Sequence, residues 1–88
     1  MSVHKKKEDV LGRLSKVEGH VRAIAKMVEA NRDCPAVLLQ IGAVEAALRR
    51  ITGIVLEDHI ETCVAKAIRE GRGREAVNEL TDAVARLL

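Results

Sequence analysis

The sequence predicts an all-α chain of three helices with a very long middle one. Three observations carry that prediction. Apolar residues recur at helical spacing along nearly the whole chain. No stretch alternates with the period of a strand. The pattern breaks only at two short segments, near residues 31–33 and 71–73.

The first helix is read from Val10, Leu14, Val17, Val21, Ile24 and Val28, whose 4-3-4-3-4 spacing is a heptad seam, and it ends near residues 31–33. Residues 1–8, with Lys5-Lys6-Lys7, read as a flexible basic arm ahead of it. Pro35 then stands where proline is welcome, at the first position of a new helix, with Asp33 or Cys34 as its cap. The second helix runs through Leu38, Ile41, Val44, Leu48, Ile51 and Val55, then His59 and Cys63, to a stop at Gly71 and Gly73. Gly42 and Gly53 lie inside it. Each costs about 1 kcal/mol relative to alanine, so they either weaken the helix or mark close contacts. Val77, Leu80, Val84 and Leu87 line one face of the third helix.

A helix from Pro35 to Glu70 would be about 54 Å long. Such a rod overhangs any core that two shorter helices of one chain can make. Its apolar stripe needs cover, most simply from a second copy lying antiparallel in a four-helix-bundle-like core. The 88 residues make a single small domain, and its core lacks Phe, Tyr and Trp altogether.

The net charge is only +2, but eight Lys/Arg against four Asp/Glu fall within residues 1–32. A surplus placed there suits either a polyanion partner or a solubilising face. No apolar run reaches the roughly 18 residues of a membrane span, and no apolar region follows the basic N-terminus. A cytoplasmic protein with reduced thiols is expected, rather than one with a disulfide framework.

His59 and Cys63 stand four residues apart, on one helix face, so both can reach one metal ion. Cys34 lies twenty-five residues before His59, about 37 Å of helix, and cannot join the pair within one chain. It can join them in an antiparallel dimer, where two equivalent sites follow from the two-fold axis. Two thiolates and an imidazole form a soft, three-coordinate set that suits Cu(I) better than structural zinc, which usually takes four ligands. His4, on the arm, is a candidate fourth ligand, and the three-ligand set is preferred. His20, among Arg13, Lys16 and Glu18, suits a surface or DNA-facing role better than ligation. No base–nucleophile–orienter set is visible, and a closed three-ligand site leaves no position for a substrate, so neither an enzyme nor a small-molecule substrate is expected.

Three stretches resemble the copper-sensing operon repressor (CsoR) family of bacterial regulators: GRLSKVEGHVRAIAKMVE (residues 12–29), CPAVLLQIGAVEAAL (34–48) and DHIETCV (58–64). The resemblance covers roughly residues 10 to 85. It implies a cytoplasmic all-α repressor, a dimer of antiparallel protomers that pairs again into a homotetramer. It also implies binding to double-stranded operator DNA through basic faces of the first two helices, with release when Cu(I) binds and copper-efflux genes derepressed. The family's metal ligands fall on Cys34 of one chain with His59 and Cys63 of the other. Its DNA-contacting arginines fall on Arg13 and Arg50, with Lys16 as a third contact. Its glutamate that senses histidine ligation falls on Glu79. Two positions depart from the pattern: Asp33 replaces the usual tyrosine and His20 the usual glutamine. Alternatives within the same fold are a persulfide-sensing repressor using Cys34 and Cys63, and a nickel, cobalt or zinc sensor recruiting His4. A helical storage bundle with no DNA role is disfavoured by the basic first third and by Arg49-Arg50.

Overall fold

Local sequence chemistry sets where each helix stops. The computed structural model describes residues 5–87. Helix α1 spans Lys7–Glu29, α2 Cys34–His59, α3 Ala65–Arg69 and α4 Gly73–Leu87. A π-helical turn, Ile60–Val64, runs directly from α2 into α3. No strand occurs among the described residues. The all-α reading holds, and the long middle helix is α2, the π turn and α3 in unbroken succession.

Helix α1 begins three residues before the first apolar seam position, so Lys7 and Glu8 of the expected arm are helical. Glu8 and Asp9 occupy its first turn and Lys26 its last, each opposing the nearby end of the helix dipole. The helix closes with a Schellman motif. Asn31 adopts a left-handed φ of 58°, its N–H donates to Val28 O at 3.0 Å, and the Arg32 N–H donates to Met27 O at 3.0 Å. Asparagine tolerates that conformation better than any other residue with a side chain. His4 lies outside the described residues.

The same device ends α3. Gly71 takes φ 78°, donating to Ile68 O, while the Arg72 N–H donates to Ala67 O at 2.7 Å. Gly73 serves a different end. A Cβ there would stand 2.9 Å from Ile68 Cγ1, inside contact distance, so any side chain would press on Ile68 where the chain re-enters a helix. By contrast, a Cβ at Gly42 or Gly53 would meet nothing within 4 Å, so neither marks a close approach within one chain.

The chain forms two compact units. One is Lys6–Val55, α1 with most of α2. Its buried apolar residues are Val44 and Ile51, with Val10, Val17 and Ile24 of the α1 seam half-buried. The alternate seam positions, Leu14, Val21 and Val28, stay exposed, as do Leu38, Leu39, Ile41 and Leu48 of α2. The other unit comprises residue 5 and residues 56–87. There α4 packs on α3 and the π turn, over buried Val64 and Ala67. No helix is long and apolar enough to cross a membrane among the described residues.

Candidate functional site

The candidate metal-binding side chains begin at the start of α2. Asp33 caps that helix: its Oδ2 accepts the Ala36 N–H at 3.3 Å and its carbonyl accepts the Val37 N–H at 3.2 Å. Asp33 thus acts as the N-cap of α2. Cys34, the first residue of the helix, is an exposed free thiol.

His59 and Cys63 flank the π turn. Thr62 Oγ1 donates to Asp58 O at 2.7 Å, the i−4 back-bond that Thr52 and Thr81 also make within α2 and α4. The Ala65 N–H reaches back five residues to Ile60 O, the π-type bond. Ile60, Thr62 and Val64 are all β-branched, which crowds a tighter α turn. His59 is half-buried, with its Nδ1 out of solvent. Cys63 is half-buried and not disulfide-bonded, and its Sγ lies 3.5 Å from Thr62 Oγ1.

Asp58, beside His59, was not anticipated from the sequence. It is only 3% exposed and accepts the Lys5 N–H at 3.2 Å. Its signal was nonetheless present: Val44, Ile51 and Asp58 are spaced by seven residues, and all three are buried. Glu79 is exposed on α4. The Arg72 guanidinium, held above its ordinary range mainly by its hydrogen bond to Glu70, also feels the charges of Glu75 and Glu79.

Among the described residues of one chain, no three of His, Cys, Asp or Glu converge closely enough to hold a metal ion. The donors themselves fit a soft metal: two reduced thiols and an imidazole.

The predicted basic residues, in contrast, do converge. A groove of about 490 Å³ lies between α1 and α2, lined by Glu8, Asp9, Arg13, Lys16 and His20 from α1 and by Arg50 from α2. Val17 and Ile51 contribute to its apolar floor. Arg13 Nε donates to Asp9 Oδ1 at 3.1 Å, so one cation of the groove is already paired. At the groove's lining His20 Nε2 donates to Gln40 Oε1 at 2.7 Å, tying α1 to α2. The sequence reading missed both Asp9 and Gln40.

The sequence model of the metal-sensitive transcriptional repressor family matches residues 6–86. The chain belongs to this family. The repressor is 46% identical over 78 residues to the copper-sensing transcriptional repressor CsoR of Bacillus subtilis (strain 168), covering 89% of this chain and 77% of that protein. It spans 66% of CsoR from Mycobacterium tuberculosis (strain ATCC 25618 / H37Rv), at 42% identity. Its fold superposes on the Cu(I)-bound copper-sensing repressor CsoR of Geobacillus thermodenitrificans NG80-2 with a TM-score of 0.92 at 44% identity, over 99% of this chain and 92% of that one. The nickel-responsive transcriptional regulator InrS matches with a TM-score of 0.81 at 38% identity, over 100% and 99% of the two chains. A family of metal-sensitive repressors, not of enzymes, therefore frames what these side chains do.

Proposed function

We propose that the chain is a cytoplasmic Cu(I)-responsive repressor. In its metal-free form it binds double-stranded operator DNA, and Cu(I) releases it to derepress copper-efflux genes. The observation that carries this reading is the α1–α2 groove, which brings Arg13, Lys16 and Arg50 together although they span 37 positions of the sequence. Guanidinium and ammonium groups gathered on one face neutralise backbone phosphates, the dominant source of protein–DNA affinity.

The metal site is shared between two copies: Cys34 of one with His59 and Cys63 of the other. When bound, Cu(I) supplies a soft Lewis-acid centre that converts both thiols to thiolates and fixes the imidazole tautomer. The exposed apolar rows on α1 and α2, Leu14, Val21, Val28, Leu38 and Ile41, support burial against a second copy, and the pairing of dimers into a tetramer extends it. Glu79 on α4 acts as the partner of the ligated histidine, so that ligation docks α4. Similarity to copper-sensing relatives supports the choice of metal.

Stoichiometric Cu(I) should abolish binding to a labelled operator duplex, and His59→Ala should remain bound in its presence. Release of His59→Ala by Cu(I) would refute the ligand assignment. A second reading, nickel sensing, is favoured by the likeness to the nickel-responsive regulator. Release by Ni(II) at concentrations where Cu(I) has no effect would select it.

A further inference from the structure

The groove holds a histidine that the reading above leaves unused. His20 sits one helical turn beyond Lys16 on α1, lines the same groove as Arg13, Lys16 and Arg50, and is half-buried. Its Nε2 proton is committed to Gln40 Oε1 across the helix pair. That bond selects the tautomer in which Nδ1 carries the lone pair. Protonating Nδ1 leaves the Nε2 bond to Gln40 intact, because both nitrogens of an imidazolium are donors. The ring can therefore gain a charge without moving α1 against α2.

The surrounding charges are few. From α1 the groove receives Glu8, Asp9, Arg13 and Lys16, and from α2 Arg50. Asp9 is taken up by Arg13 at 3.1 Å, and on the flank of α1 Glu18 pairs with Arg22 at 3.5 Å. Three permanent cations thus face two carboxylates. The balance is slight, and one added charge changes it considerably.

We infer that His20 is a fourth DNA-contact residue of the groove, its Nδ1 taking up a proton when phosphate occupies the groove. The inference rests on the DNA-binding reading above. Complex formation takes one proton from solvent onto Nδ1 of each engaged groove. The groove then meets DNA with four cations rather than three. Histidine is suited to this because its charge ordinarily changes between about pH 5 and pH 8.

The test uses the full-length, metal-free protein and a fluorescein-labelled mixed-sequence DNA duplex, because phosphate contacts do not depend on sequence. Affinity is measured by anisotropy at stepped salt, from about pH 8 to about pH 6. The wild type should tighten by about fivefold on acidification, the order of one exposed charge contact. Its log–log salt slope should steepen by about 0.9 per engaged groove. His20→Gln, which keeps a hydrogen-bonding side chain beside Gln40, should lose both responses while remaining helical. His20→Arg should bind at pH 8 as the wild type does at pH 6 and be nearly independent of pH. A purely structural bridge would shift overall affinity but not these profiles. If His20→Gln retains the wild-type pH response, the inference is overturned while the DNA reading stands. If the wild type shows no salt-dependent binding at any pH, the DNA reading fails first and takes the inference with it.

Discussion

Replacing Asp9 with asparagine should weaken the fold slightly and strengthen DNA binding, two effects of opposite sign from one carboxylate. Asp9 Oδ1 accepts from Arg13 Nε at 3.1 Å, with both side chains substantially exposed to water. Exposed ion pairs at this spacing contribute about 0.3–0.5 kcal/mol. A carboxylate in the first turn of a helix adds a few tenths of a kcal/mol from the dipole. Asp9→Asn should therefore cost about 0.5–1 kcal/mol of stability. On DNA the balance reverses. A phosphate bonded to the far side of the Arg13 guanidinium stands two hydrogen bonds away from Asp9, roughly 6 Å. The repulsion between the two anions is then about 0.7 kcal/mol at the dielectric constant of water and about 2.8 kcal/mol at an effective value of 20. Physiological salt roughly halves either figure. Removing it should tighten binding between about twofold and tenfold. Anisotropy titrations of wild type and Asp9→Asn with the same duplex, at matched salt and pH, measure this directly. Unchanged or weaker affinity, with the helical content intact, would mean that Arg13 does not face the phosphates and that the groove is not the DNA surface.

The remaining predictions concern the frame around the two sites. Asp58→Ala removes a buried acceptor of the Lys5 N–H and should cost about 1–3 kcal/mol, read as a lowered Tm by circular dichroism at fixed protein concentration; an unchanged Tm would show that the buried carboxylate is dispensable. Gly71→Ala should cost about 1 kcal/mol through its left-handed φ alone. Gly73→Ala should cost about 1–3 kcal/mol by pressing on Ile68, and the shorter Ile68→Ala should relieve that excess in the double variant. The Arg72 guanidinium bonded to Glu70 holds that carboxyl below the ordinary glutamate range. An NMR titration should find Glu70 ionised below the ordinary glutamate range, and moved back toward that range in Arg72→Ala. Because its pKa is depressed on folding, whatever it adds to stability is present above the ordinary glutamate range and lost as the pH falls through the folded value.

What the sequence determines by itself is everything that repeats within four residues. The α1 seam from Val10 to Val28, the run from Leu38 to Val55, and the stops at Asn31 and Gly71 follow from helical periodicity and from which residues accept a left-handed φ. Those interactions are local, so the residues that make them stand next to one another in the sequence. The donor types are legible for the same reason: Cys34, His59 and Cys63 declare their chemistry wherever they lie. Tertiary structure decides the rest. Seven-residue spacing alone did not say that Asp58 would be buried, as Val44 and Ile51 each are, because an apolar stripe tolerates a carboxylate only where some acceptor role, here toward Lys5, is met. The π turn, in which the Ala65 N–H reaches back to Ile60 O, is a change of hydrogen-bond register that periodicity does not resolve. Above all, the groove exists only because α1 lies against α2, tied by His20 and Gln40, which sets Arg50 beside Arg13 and Lys16. Charge acts over ångströms of space, not over positions of sequence, so a basic surface is visible only once the helices have packed.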